Sequence, residues 1–274
     1  AAAPPAASAG PGALLAAVDA EISFLSPRGK FKAALHEESL LLQSKTVSLA
    51  VPHASISHIF VLPEATGQGQ LCVVSLSAPI ANGKSQLSHL LLHSKPNDAK
   101  ISCSFQSLAG QPVAVISKAL AALCSVEVTG LGAFKPLQGH GGLPCYVKAS
   151  EASLYLLEKQ GIVREGSKIH VLPYDRLRVE VLPPDSRRTF DLQLEVSAVA
   201  PAGGGEVPKP LKLELSMLAA SECDRVSDLL VRKRVNVNGC RDGLAAGAEG
   251  AEEGSGGSGA KVAKEEEDDD DAPA

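Results

Sequence analysis

Tryptophan is absent from the 274 residues, and three tyrosines and six phenylalanines make up all the aromatics, 3% of the chain. That scarcity argues against a stacking platform for single-stranded nucleic acid and against an aromatic-lined ligand cleft. No apolar run approaches the roughly 20 residues that a membrane-spanning helix needs, so no membrane partner is expected. The six cysteines, Cys72, Cys103, Cys124, Cys145, Cys223 and Cys240, are scattered without a CxxC. They offer neither a zinc site nor a dense disulfide framework, and they suit reduced thiols inside a cell. The sequence contains no GxSxG, no P-loop and no HExxH, and its one GxGxxG match, Gly254 to Gly259, lies in a glycine-rich linker instead of after a strand. No catalytic residue, cofactor or metal is therefore expected. His53, His58, His89 and His93 fall on strand-like runs without ligand spacing and read as surface or packed histidines, and His140 in GHGG reads as a loop residue.

Charge is plentiful and unevenly placed. The net charge is -5, yet ten acids and two bases lie between Gly243 and Ala274, which leaves residues 1–242 with a net of +3. The run Glu265, Glu266, Glu267, Asp268, Asp269, Asp270, Asp271 follows a Gly/Ser/Ala/Glu-rich linker. Like charges at that density repel, so the tail is expected to be disordered and available to a basic partner. At the other end, Ala1 without a methionine and AAAPPAASAGPG read as a cut or processed end in a flexible stretch, with no basic region of a signal peptide.

Between these ends, KFKAALH, SLLLQS, TVSLAV, SISHIFVLP, QLCVVSL and SQLSHLLLHS are each of strand length, with GQGQ and ANGK as turns. They predict an antiparallel meander. Helical spacing follows Pro112, where Ile116, Ala119, Leu120 and Leu123 share a face. The second half repeats the order. Leu177, Val179 and Val181 alternate with polar residues, as do Phe190, Leu192, Leu194 and Val196, and then Leu211, Leu213 and Leu215. Ser221 with Asp224 suggests a capping box for a helix burying Cys223, Val226 and Leu230, with Arg232, Lys233 and Arg234 in its last turn.

Two rounds of a meander closed by one helix predict a mainly β fold with α: two tandem pleckstrin-homology-like half-open barrels, each closed by a C-terminal helix, plus a disordered acidic tail. The expected divisions are an Ala/Pro-rich disordered segment 1–20, a first domain 21–128, a second domain 129–240, and a linker and tail 241–274. Two internal matches support a duplication at different offsets. Val51-Pro52 before Ile56 resembles Leu172-Pro173 before Leu177, whereas Ser57 to Pro63 matches Ser167 to Pro173.

Specific strings add to this pattern. In the first half they are Phe60-Val61-Leu62-Pro63, Val74-Ser75-Leu76, Pro79-Ile80 and Gly83-Lys84. In the second they are Lys148-Ala149-Ser150, Leu154-Tyr155, Leu157-Glu158, Gly161, Tyr174-Asp175, Phe190-Asp191 and Val235-Asn236-Val237. In that order, over roughly Phe24 to Asn238, they resemble the middle domain of the small subunit of the FACT histone chaperone. The resemblance implies packed tandem pleckstrin-homology-like domains, a nuclear, chromosomal location and ATP-independent histone chaperoning in transcription, replication and repair. It also implies core histones as partners, the arginine-rich pair above all, and a large FACT subunit if the chain is a fragment.

Chaperoning needs a surface that competes with DNA for very basic proteins. Glu265 to Asp271 would supply multivalent, salt-sensitive attraction over about 8 Å at physiological ionic strength, raising encounter rate more than specificity. Lys135, Lys148, Arg164, Lys168, Arg187 and Arg188 are a candidate patch for DNA or histones, although a net of +3 predicts only weak binding of double-stranded DNA. Rival readings of the same fold are a phosphoinositide-binding adaptor, for which Lys30 and Lys32 beside His36, Glu37 and Glu38 are a thin cluster, and a peptide-binding module that adds a strand to an exposed sheet edge.

Overall fold

The computed structural model describes residues 12–65, 67–83, 85–137, 141–182, 188–199 and 209–239. The acidic run Glu265 to Asp271, the linker before it, Arg187, His140 and Cys240 lie outside the described residues.

The first half runs β1 (Leu14–Ser26), β2 (Arg28–His36), β3 (Ser39–Gln43), β4 (Ser48–Pro52), β5 (Ile56–Pro63), β6 (Gln70–Asn82) and β7 (Ser85–Ser94). Short strands β8 (Ile101–Cys103) and β9 (Leu108–Gly110), helix α1 (Pro112–Cys124) and β10 (Val128–Thr129) complete it. The second half runs β11 (Leu143–Val147), β12 (Ser150–Leu156), β13 (Gln160–Glu165), β14 (Lys168–Pro173), β15 (Leu177–Leu182), β16 (Thr189–Val196) and β17 (Leu211–Ala219), followed by α2 (Cys223–Arg232) and β18 (Asn236–Asn238).

Both halves wind identically. Their orders in space are β5-β6-β7-β1-β2-β3-β4 and β15-β16-β17-β11-β12-β13-β14. In each, the first strand is paired to the seventh, while the fourth and fifth stand at opposite ends of the ladder and leave an open seam. Seven curled strands and one closing helix are the tandem pleckstrin-homology-like architecture the sequence predicts. The duplication extends past the helix: β10 lies parallel on β5 and β18 lies parallel on β15. It also selects between the two internal registers. Pro52 and Pro173 each lead through a 3₁₀ turn, His53–Ser55 and Tyr174–Arg176, into the fifth strand. Val51-Pro52 thus corresponds to Leu172-Pro173, and the match of Ser57–Pro63 to Ser167–Pro173 is incorrect because it would set a fifth strand on a fourth.

Two expectations need correction. Strand β1 begins at Leu14, inside the stretch 1–20 that composition reads as unstructured. Ala16, Val18, Ile22 and Phe24 are buried at period two, and alanine at two of the early positions hides that alternation. Helix α2 has no capping box. A 3₁₀ turn, Ala220–Glu222, precedes it, and no side chain caps its first turn. The expected inner faces hold: Cys223, Val226 and Leu230 are buried, with Leu229 beside them, and Ile116, Ala119 and Leu120 of α1 are buried while Leu123 is half-buried. The first half extends to β10 at Val128–Thr129, one residue past the expected boundary at 128.

Each half has its own core, and a third cluster joins them. Phe60, Leu62, Leu71, Val73 and Leu91 of β5, β6 and β7 pack with Tyr155, Leu157 and Ile162 of the second half. The cause is visible in the strands. Leu71 to Leu76 and Ala152 to Leu156 are buried without a break, the pattern of a strand covered on both faces. Burying one such leucine contributes roughly 1.5–3 kcal/mol relative to leaving it in water.

Candidate functional site

Polar groups fringe the joint between the halves. The Tyr155 hydroxyl donates to the Pro63 carbonyl at 3.1 Å. The Glu64 carboxylate accepts from Arg164 Nη1 at 3.4 Å and lies 3.2 Å from His93 Nε2. His89 Nε2 sits 3.3 Å from the Ser167 carbonyl oxygen, and its pKa is lowered chiefly by burial.

Those contacts change the reading of the candidate cationic patch. Arg164 is engaged by Glu64 and donates from Nε to the Gly166 carbonyl at 3.0 Å, so it fastens the joint and is not free for a phosphate. Lys148 and Lys168 do share a groove of about 510 Å³, together with Arg178 and Lys212, which sequence reasoning passed over. Glu165, Glu180, Glu195 and Glu214 line the same groove. Arg178, Glu195 and Lys212 stand opposite one another across β15, β16 and β17, with Lys212 Nζ 3.5 Å from Glu195. Four cations face four carboxylates, so the groove is balanced in charge. Opposite charges on neighbouring strands contribute well under 1 kcal/mol each at such exposure.

Lys135 lies elsewhere, in the exposed loop before β11. That loop is tied down at several points. The Arg225 guanidinium sits 5.6 Å from the Phe134 ring centroid, and its Nη2 donates to the Lys135 carbonyl at 2.6 Å. Buried Glu222 accepts from the Leu137 N–H and from Arg225. Upstream, Glu158 accepts from the Ala133 N–H and pairs with Lys233, whose ammonium is the main reason the Glu158 carboxyl stays below its usual pKa. Arg188 is exposed, with its carbonyl accepting from the Ala220 N–H at 2.9 Å. The candidate cations therefore occupy separate surfaces: Arg164 at the joint, Lys148 and Lys168 in the groove, Lys135 on the tied loop and Arg188 before β16.

Among the described residues, large apolar side chains reach solvent at a few places, and three belong to one region of the second half. Leu137 is 60% exposed, Met217 58% and Tyr146 39%. No motif marks them. In the first half, Arg28, Lys30 and Lys45 line a depression of about 290 Å³ at the tips of the β1–β2 and β3–β4 hairpins, with Glu21 as the one acid. Sequence reasoning took Lys30 but placed it with Lys32. Lys30 and Lys32 share the exposed face of β2, but Lys32 stands two residues further from the hairpin tip, across from Glu21 on β1 and Gln43 on β3, while Lys45 comes from the β3–β4 turn.

No group of three or more His, Cys, Asp or Glu side chains suited to a metal occurs among the described residues. Cys72 and Cys145 are buried, and burial pushes their thiols up to about 12.

A family model described as the SSRP1 PH domain matches residues 15–111. Among curated relatives, FACT complex subunit SSRP1 of Mus musculus is 24% identical over 249 residues, covering 83% of this chain and 33% of its own length. The protein of the same name from Homo sapiens is 24% identical over 246 residues, covering 82% of this chain and 33% of its own. FACT complex subunit pob3 of Schizosaccharomyces pombe is 26% identical over 191 residues, covering 63% of this chain and 37% of its own. The chain spans about a third of the length of the curated relatives it matches. The resemblance carried by the ordered strings is borne out by these matches.

Proposed function

Taking that kinship with the small subunit of FACT as the premise, we propose that this chain is a histone-chaperone module of the FACT small-subunit family. It acts without catalysis, in the nucleus and on chromosomes, where chromatin is assembled or reorganised during transcription, replication and repair. Its partners are core histones, the arginine-rich pair above all, with double-stranded DNA a weak partner and, if the chain is a fragment, a large FACT subunit a further one. The observation that carries this reading is the extent of the match. Relatives named as FACT subunits align with 83% of the chain, which takes in both halves of the duplicated fold. Glu265 to Asp271 supply long-range attraction for basic partners, and the folded halves supply shape. The domain limits we propose are near residues 14–129 and 130–239, a division in keeping with one sheet in each half.

The test is fluorescence-polarisation binding to arginine-rich and lysine-rich core histone pairs at low and high salt, with and without residues 261–274. Binding that persists at high salt without the tail supports a specific site on the folded halves. Binding abolished by either change reduces the interaction to charge attraction and defeats the reading.

One observation favours a second reading, a phosphoinositide-binding adaptor: Arg28, Lys30 and Lys45 converge at two hairpin tips. Co-sedimentation with vesicles containing phosphoinositides, lost in Lys30→Ala and Lys45→Ala, would raise it above the first. Absence of vesicle binding eliminates it.

A further inference from the structure

The geometry points to a docking site for an acidic protein segment at the hairpin tips of the first half, formed by Arg28, Lys30 and Lys32 of β2 and Lys45 of the β3–β4 turn. Its partner is an extended chain that carries Asp or Glu at alternate positions. This inference goes beyond the histone-chaperone reading, since histones are basic, and it gives a different occupant to the cations that motivate the phosphoinositide reading.

The cations are gathered on one surface and are unpaired. Arg28, Lys30 and Lys32 are exposed at period two along β2, while Phe31 and Ala33 between and beyond them turn into the core. Lys32 pairs with Gln43, and continuing that register past the end of β3 brings Lys45 to the side of Lys30, with which it lines the depression of about 290 Å³. None of the four side chains is in an ion pair among the described residues. Glu21, opposite Lys32 across β1 and β2, is the one acid that lines the depression. Elsewhere the cations are matched: Arg225 and Lys233 are engaged by Glu222 and Glu158, and the groove of the second half holds as many acids as bases. Only the hairpin tips combine a depression with this surplus of unpaired positive charge.

The backbone beneath is fixed. Phe31 is buried and meets Phe24 edge to face, with ring centroids 5.6 Å apart, which anchors β2 between Lys30 and Lys32. Ser44 closes the β3–β4 turn. Its N–H donates to the Val47 carbonyl at 2.8 Å, and its Oγ accepts from the Val47 N–H at 3.0 Å and from the Thr46 N–H at 3.4 Å. Lys45 is therefore presented from a turn that is already ordered, which lowers the cost of binding.

The same turn decides between carboxylates and phosphate. A compact phosphate group is gripped by a concave nest of backbone N–H groups, and here the Thr46 and Val47 amides point into the turn at Ser44 Oγ. What faces the partner is a row of long cationic side chains. Same-side residues two apart on a strand are about 6.8 Å from one another, and acids at alternate positions of an extended chain repeat at that same interval. Exposed pairs of this kind are individually weak and screened by salt, so the surface selects the partner's sign and spacing through several contacts at once.

The experiment is a polarisation titration of the full chain with two fluorescein-labelled peptides of about 12 residues, long enough to run the length of β2. One alternates Glu with Ser, and the other carries the same glutamates as a single block. Each titration is repeated on a full chain with Glu265 to Asp271 changed to their amides, so that carboxylates of the protein itself do not compete with the probe. At roughly 0.15 M salt the alternating peptide should bind about threefold tighter than the block, and Lys30→Glu/Lys45→Glu should weaken it about tenfold, because like charges are then opposed. Binding should vanish near 1 M salt, where the screening length falls to about 3 Å. Lys118→Glu/Lys159→Glu makes the same change of net charge at exposed positions away from the hairpin tips and should leave the affinity unchanged. Thermal unfolding midpoints should be unchanged in both double variants, as is usual for exposed side chains. An equal loss in Lys118→Glu/Lys159→Glu overturns the site, since net charge would then account for the binding. Equal affinity for the two peptides, or binding of neither to either form of the chain, also overturns the inference. Duplex DNA or phosphoinositide vesicles that bind more tightly than the alternating peptide and are released by Lys30→Glu/Lys45→Glu assign the depression to a phosphate ligand and overturn it. No histone enters these titrations, so every outcome is separate from the histone-chaperone reading.

Discussion

The hydroxyl of Tyr155 and the carbonyl of Pro63, 92 positions apart in sequence, are joined by a hydrogen bond of 3.1 Å across the two halves of the fold. The ring is fully buried in the shared cluster, and burial pushes the phenol up to about 12. One residue thus supplies both apolar area and a directional link at the joint.

Tyr155→Phe should cost about 0.5–1.5 kcal/mol, the net value of a single neutral hydrogen bond. Tyr155→Ala should cost about 3–5 kcal/mol, because a large cavity opens between two sheets. Denaturant unfolding of both variants checks this. Equal losses would show that the hydroxyl and not the ring carries the joint.

Gly142 lies against the same ring. A Cβ at that position would stand 2.7 Å from Tyr155 Cε1 and 2.8 Å from Cζ, well inside van der Waals contact. Gly142→Ala should destabilise by about 1–3 kcal/mol through overpacking, and the loss should be smaller in a Tyr155→Leu background. A thermal midpoint unaffected by Gly142→Ala would mean that the ring moves aside freely.

Glu222→Ala removes a buried carboxylate from the Leu137 amide and from Arg225. The Arg225 side chain is 39% exposed and can rehydrate. The expected cost is therefore about 1–3 kcal/mol, the value of a lost charge-assisted bond, and not that of a stranded buried charge. Hydrogen exchange at the Leu137 amide should accelerate while that of β12 stays unchanged.

Burial lowers the pKa of both His53 and His89 below 6.5. Between the folded and unfolded values the unfolded chain binds more protons, so stability is fully present above pH 6.5 and falls as the pH drops toward the folded values. Melting midpoints should decline between pH 7.5 and 5.5. The decline should be smaller for His89→Gln, which has no proton to gain and keeps a donor for the Ser167 carbonyl. A wild-type midpoint that is flat over this range would contradict the assignment.

Local pattern made much of the fold legible. Period-two alternation marked Leu177 to Val181 and Phe190 to Val196, and helical spacing marked Ile116 to Leu123, because a half-buried strand or helix writes its buried face directly into its residues. The unbroken burial of Leu71 to Leu76 and Ala152 to Leu156 marks strands covered on both faces, but Ser75 and Ser153 interrupt both runs in sequence, so only the structure shows it. The alanines of β1 concealed an equally regular strand, since a methyl group contributes too little apolar contrast to stand out from an Ala/Pro-rich lead-in.

By itself the sequence determined the β-rich duplicated order, the positions of both helices, the family resemblance and the distribution of charge, all properties of neighbours along the chain. The tertiary structure decided what each charge and each exposed apolar group does. Arg164 has no special context in sequence, yet it meets Glu64, 100 positions away, and becomes a fastener of the joint. Lys148, Lys168, Arg178 and Lys212 read as cations, yet each shares a groove with a carboxylate from another strand. No motif marks Leu137 or Met217, yet their side chains stand in solvent while their backbone N–H groups donate to Glu222 and Asp191. Side-chain roles of this kind depend on partners brought together by strand pairing across tens of residues, and no local window contains both members of the pair.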